Sequence, residues 1–274
     1  MKQIKKLASI SRVTPGSTAS LELPVGPTYE RIIFNVSASS GLDVADIGRI
    51  NVLIDGKVVQ TFKNLQRLTD INSYYKRATD SMAAAAAQFA LHFFRAEIDG
   101  VSNRRKPGIG TADVQTFHIE LEIASGAPAS IAMTAYAEIE TVAQPLGVFT
   151  TIREYPHSSS VSGEVEIDKL IRGPWYQAIH LFKADISNVI VEADSYKIVE
   201  ATKSVLERTQ KEASPVARVP VTASATHVDF VLDGDVMLSP FDTKNLRDFR
   251  VKMTLDTSGS TDIVTETLNT LAQA

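Results

Sequence analysis

The residues best suited to chemistry are five histidines, His92, His118, His157, His180 and His227, and a short acidic turn, Asp233-Gly234-Asp235. Imidazoles that ligate metals or drive hydrolysis recur at His-x-His or HExxH spacing, and none of the five does. His118 and His180 instead sit inside alternating apolar and polar runs, the period of a strand. Carboxylates on a glycine turn can hold Ca2+, which makes Asp233 and Asp235 candidate metal ligands, with Asp242 nearby in sequence. The rest of an EF-hand pattern is missing, and a plain turn at a strand end accounts for the same residues. Nucleophilic chemistry has no vehicle: the chain has no GxSxG elbow and no cysteine. Gly108-Ile109-Gly110 lacks the third glycine of a dinucleotide loop and leads into a strand. The expectation is a protein that is not an enzyme and requires no cofactor, with Ca2+ the one candidate ion.

Two basic groups remain. The opening MKQIKKLASI sets Lys2, Lys5 and Lys6 beside Ile4, Leu7 and Ile10. It reads either as a β-paired terminus or as a short amphipathic arm laid on an anionic surface, with Ile4, Leu7 and Ile10 on one helical face. The stretch SNRRKPGIG carries Arg104, Arg105 and Lys106 in a loop, solvated or in contact with an anion or another subunit. A net charge of −4 is too mild to make nucleic acid the main partner. No apolar run approaches the ~20 residues of a membrane span, and no signal-peptide core follows the basic start. The chain is expected to be soluble when made.

The elements that must position these residues come in duplicate. FHIELEIASGAPASI from Phe117 and FRVKMTLDTSGSTDI from Phe249 share an opening Phe, strict alternation and a Ser-Gly break. YERIIFNV from Tyr29 is matched by YQAIHLFKA from Tyr176, and NVLIDGKVV from Asn51 by NVIVEADSY from Asn188. The order is kept while the spacing drifts, the mark of a duplicated β-domain. At 274 residues the chain accommodates two domains of roughly 130 residues. The expected boundaries are 1–143, with the basic arm, and 144–274.

Within each half the alternation defines about eight short strands, among them 17–23, 29–36, 131–140, 216–221 and 227–232. Asp55-Gly56 supplies the tight turn of a hairpin over 49–62. Leu65, Leu68, Ile71 and Tyr75 set a helix over 63–78, and Ile198, Ala201, Val205 and Arg208 set its counterpart over 198–213. Five alanines, 83–87, lead into an apolar strand. The fold expected is all-β: two tandem eight-stranded jelly rolls, each with one short inserted helix.

The series LELPVGPTYE, INVLIDGKVVQTFKNL, LHFFRAEIDGV and VDFVLDGDV resembles the major capsid proteins of corticoviruses over about residues 8–268. These coat icosahedral bacteriophages with a membrane inside the shell. The resemblance implies a double jelly roll of the kind shared with tectivirus coat proteins and the adenovirus hexon. It implies a homotrimer forming pseudo-hexagonal tiles, in contact with neighbouring capsomers and other virion proteins. Its location would be the virion shell after synthesis in the host cytoplasm. The lysines at 2, 5 and 6 would then face the inner membrane lipids, at about 1 kcal/mol per basic residue. Shell-associated calcium comes with the resemblance, but its ligands do not. A reading from another class is a tandem jelly-roll carbohydrate-binding module or glycan-processing enzyme. That calls for exposed aromatics or paired carboxylates, whereas aromatics make up 7% of this chain and Trp175 is the sole tryptophan.

Overall fold

The computed structural model of the chain describes residues 2–39, 41–78, 86–98, 100, 105, 107–214 and 217–273. They form two units, Met1–Ile152 with Asn269–Ala274, and Arg153–Leu268. The division falls at 152/153 rather than 143/144. The cause is a short stretch of chain that stays with the first unit: Ile152 pairs in parallel with Gln60, whose Nε2 donates to Thr150 O at 2.9 Å.

The first unit runs β1 (Lys2–Lys6), β2 (Thr18–Glu22), β3 (Thr28–Ser37), β4 (Ile47–Ile54), β5 (Lys57–Phe62), α1 (Leu65–Tyr74), β6 (Ala86–His92), β7 (Ile109–Gly110), β8 (Phe117–Ile123) and β9 (Ala132–Glu140). One sheet has the order β1-β9-β3-β6 with β7 on β3; the other is β5-β4-β8-β2. Without the two-residue β7 these are the two four-stranded sheets of a jelly roll. The second unit repeats the plan. Its strands are β10 (Phe149–Ser159), which starts in the first unit, β11 (Gly163–Ile167), β12 (Trp175–Phe182), β13 (Ile186–Ala193), β14 (Tyr196–Thr202), β15 (Thr226–Asp229), β16 (Phe241–Asp242), β17 (Phe249–Leu255) and β18 (Gly259–Asn269), with α2 (Lys203–Lys211) after β14. The sheets are β10-β18-β12-β15, with β16 on β12, and β11-β17-β13-β14. Asn51 on β4 and Asn188 on β13 therefore occupy the same strand of each roll.

Alternation builds both cores. Phe117, Ile119, Leu121 and Ile123 of β8 point inwards, as do Phe249, Val251, Met253 and Leu255 of β17, all at most 2% exposed. Each such side chain contributes roughly 1.5–3 kcal/mol through burial. The hairpin turns are left-handed, Asp55 and Gly56 at φ 49 and 76, Asp194 and Ser195 at φ 47 and 71. Aspartate and glycine tolerate that region best, which is why the turn was visible as Asp-Gly in one half and less so in the other.

The first helix buries the expected Leu65, Leu68 and Ile71, with Tyr75 buried at its end. The second begins later than expected. Ile198, Val199 and Ala201 extend β14 instead, because β-branched residues pair readily with β13, Val199 opposite Val191 and Ala201 opposite Val189. Leu206 and Gln210, not Val205 and Arg208, face inwards from α2, and Val205 is 52% exposed. The strand expected over 216–221 is absent from its described part, 217–221, where Pro220 has no N–H for a ladder. Of the alanine run, 83–85 lie outside the described residues; Ala86 and Ala87 enter β6, Ala87 opposite Val36.

Candidate functional site

The basic opening is the first strand of the jelly roll and does not project as an arm. β1 pairs antiparallel with β9 from Lys2 opposite Glu140 to Lys6 opposite Tyr136. A strand alternates its side chains, so Lys2, Ile4 and Lys6 share one face and Lys5 takes the other. The expected separation of lysines from apolar residues on a helix does not occur. The free edge of β9 satisfies the backbone of this segment, and Lys2 is held by charge. Its Nζ lies 2.7 Å from Glu138 Oε2 and 3.2 Å from Glu30 Oε2.

Those carboxylates are the centre of a balanced ionic cluster. Glu30 and Glu138 have side chains only 3% and 5% exposed. Arg31 Nη2 approaches Glu138 at 2.6 Å, while Arg105 reaches Glu30 at 2.8 Å and Glu140 at 3.1 Å. Burial pushes the Glu138 carboxyl up, but hydrogen bonds from Arg31 and Lys2 outweigh it and hold it below the usual range. Of the basic loop, Arg104 and Lys106 lie outside the described residues, and Arg105 serves this cluster.

The acidic turn is occupied with its own backbone. Asp233 Oδ1 accepts from Asp235 N at 3.1 Å and from Ser239 Oγ at 2.6 Å, and Asp235 Oδ1 accepts from Met237 N and Leu238 N at 3.0 and 3.1 Å. Among the described residues no group of three or more His, Asp or Glu side chains is set to hold a metal.

Sequence reading missed one buried pair. His180 and His227 face each other on β12 and β15, with Nδ1···Nδ1 at 2.8 Å, and His180 Nε2 lies 3.2 Å from Glu266 Oε1. Their separation of 47 positions hides the pairing, which only the strand register reveals. Both rings are buried in the core, 0% and 2% exposed, out of reach of a substrate.

What the surface offers is edges. Beside β1 a groove of about 410 Å3 is lined by Leu7, Pro24, Tyr29, Ala137 and Ile139, with Lys5 and Lys6 at its rim. On the second unit, β14 ends its sheet and exposes Tyr196 (75%) and Ile198 (44%). Open strand edges with apolar side chains are docking surfaces, not catalytic ones.

Two jelly rolls of matching strand order within one chain define the double jelly-roll class of coat protein. The comparisons agree. The family described as viral coat protein P2 N-terminal domain matches residues 4–140, and the viral coat protein P2 C-terminal domain matches residues 149–271. The chain belongs to the viral coat protein P2 family. It is 28% identical to the major capsid protein P2 of Pseudoalteromonas phage PM2, over 97% of this chain and 96% of that one. The crystal structure of the PM2 protein superposes with a TM-score of 0.88 at 26% identity, covering 100% of both chains. The fold also matches the Sulfolobus Turreted Icosahedral Virus structure, TM-score 0.74 at 12% identity over 97% and 90% of the chains. A further match is the PBCV-1 virus capsid, TM-score 0.66 at 8% identity over 98% and 93%. The chain is thus a structural component of a virion shell, and among its described residues no helix is long and apolar enough to cross a membrane.

Proposed function

We propose that the protein is the major capsid protein of an icosahedral bacteriophage and closes into trimers whose six jelly rolls form a pseudo-hexagonal tile. The observation that carries this is the strand-for-strand repetition of one jelly roll within one chain. Three copies then present six near-equivalent rolls, and closed cyclic symmetry supplies the same interface three times. The test is the mass in solution: light scattering should give roughly three times the 29.8 kDa chain, and a monomer at micromolar concentration would overturn the trimer. The resemblance to corticovirus coat proteins supports extending this reading to an internal membrane beneath the shell. Lys2 is withdrawn from that contact by Glu30 and Glu138, so any attraction to anionic headgroups is weaker than three free lysines would give. Sedimentation of the trimer with anionic vesicles at low salt checks this; no binding would remove direct lipid contact from the reading.

A further inference from the structure

We propose that the groove beside β1 of one copy receives the outer edge of β14 from a second copy, with Tyr196 seated at Ala143. The inference rests on the trimer reading above and names the surfaces that meet.

The argument comes from a contact already made within the first unit. β5 does not end in solvent. Ile152 pairs with Gln60 on its outer edge, Gln60 Nε2 donates to Thr150 O at 2.9 Å, and Lys57 Nζ donates to Leu271 O at 2.8 Å. Behind them Asn269 Nδ2 donates to Thr151 Oγ1 at 2.7 Å. Val59 and Gln60 are consequently buried, 1% and 2% exposed. The docking platform for β5 is thus made of residues 150–152 and 269–271.

The duplication says where the same platform recurs. Tyr29 pairs with Ile139 and its counterpart Tyr176 with Thr267, so Thr141 and Ala143 correspond to Asn269 and Leu271. By sheet order β1 corresponds to β10. Thr141 and Ala143 line the open groove, together with Lys5, Lys6 and Leu7 in and just after β1. The first unit therefore carries, at the matching place, a second platform that borders an open groove.

The duplication also says what fits it. The counterpart of β5 is β14, and the residue after each left-handed turn is Lys57 in one and Tyr196 in the other. Among the described residues β14 pairs with β13 alone, and its Tyr196 and Ile198 are 75% and 44% exposed where β5 is covered. A bare edge with apolar side chains is the partner that an apolar groove beside a second bare edge selects. Because the two patches differ, the contact is head to tail, and it closes into a ring when three chains of two rolls complete a six-fold tile.

The chain has no cysteine, so cross-linking reports the contact directly. Both Tyr196 and Ala143 are exposed, and replacing them leaves the cores untouched. The double variant Tyr196→Cys/Ala143→Cys, treated with a short bismaleimide, should give covalent dimers and trimers on a denaturing gel, and neither single variant should. Tyr196→Asp/Ile198→Asp should weaken self-association at least 100-fold with an unchanged circular dichroism spectrum. A trimer by light scattering that neither cross-links nor responds to the aspartates overturns this interface and leaves the trimer standing. A parent protein that is monomeric overturns the trimer first, and the interface with it.

Discussion

Tyr29 and Tyr176 make the same bond in the two units. The Tyr29 hydroxyl donates to Pro24 O and the Tyr176 hydroxyl to Ile171 O, each at 2.6 Å and each five residues back along the chain. Each ring also lies against the Phe that opens the long alternating strand, Phe117 at 5.2 Å and Phe249 at 5.0 Å between centroids. Burial pushes the Tyr29 phenol up to about 12 and raises that of Tyr176 as well, so both stay protonated donors at working pH. Tyr29→Phe and Tyr176→Phe keep the ring and strand a carbonyl. Each should cost about 1–2 kcal/mol in urea denaturation. Unchanged midpoints would show that the hydroxyls only fill space.

A second duplicated device sits at the hairpin turns. Asp55 Oδ1 accepts from Gln115 N and Thr116 N at 2.8 Å, and Asp194 Oδ1 accepts from Arg247 N and Asp248 N at 2.8 Å. The aspartate thus takes a left-handed turn and fixes the chain entering β8 or β17. Asp55→Asn should be mild, since asparagine keeps an acceptor oxygen and tolerates φ > 0. Asp55→Ala loses both and should cost about 2 kcal/mol more, from the lost bonds and the strained backbone. Equal denaturation midpoints for the two variants would overturn this account.

The landmarks legible in the sequence were those in which one strand carries its own pattern. Tyr29, Asn51 and Phe117 and their counterparts Tyr176, Asn188 and Phe249 lie on alternating strands, and alternation is local. What stayed hidden depends on pairing between distant segments. Glu30, Arg31, Arg105 and Glu138 form one ionic cluster only because β3 and β9 are neighbours. The KQIKK strand fits three- and four-residue spacing as well as alternation, so its backbone partner β9 had to decide. Asp233 and Asp235 fit a turn and, less well, a pair of ligands, and only the backbone N–H donors on their carboxylates decide for the turn.

The histidines give the fold a pH limit. Burial, then His180 and Lys203, hold His227 well below the ordinary imidazole value. Burial, then Arg77 and Arg31, do the same to His92, opposed by Glu97. Val221 N donates to His227 Nε2 at 3.3 Å, so the neutral ring carries its proton on Nδ1 and offers it to His180, which donates from Nε2 to Glu266. The unfolded chain protonates His92 and His227 below about pH 6.5, and the folded chain keeps both neutral to a lower pH. The unfolded state then binds more protons, so stability is full above that pH and is lost as pH falls through the window beneath it. The loss approaches about 1.4 kcal/mol per pH unit for each histidine. Urea midpoints between pH 7.5 and 5 should fall accordingly, and less steeply in His227→Asn. A flat profile in the parent would refute the neutral assignment. The depressed Glu138 acts in a lower window, below the ordinary carboxylate value.

Arg218 explains the irregular segment where a strand was expected. Its Nε lies 2.9 Å from Asp229 Oδ2 and its Nη2 donates to Val231 O at 3.0 Å, while Asp229 Oδ1 accepts from Val231 N at 2.8 Å. The two side chains are 2% and 0% exposed. The chain around Arg218 follows this ion pair into the core instead of a sheet edge, and Arg218 N donates to Gln210 O at 2.9 Å, tying the segment to α2. Arg218→Ala strips a buried carboxylate of its guanidinium and should cost roughly 3–5 kcal/mol. Asp229→Ala should cost a similar amount for the converse reason. Arg218→Met/Asp229→Leu removes both charges while keeping volume, and should recover most of the loss, because the pair spends its attraction on its own desolvation. Denaturation midpoints of the three variants decide it. If the double variant is as unstable as the singles, the bond to Val231 and the path of the segment matter more than the charge.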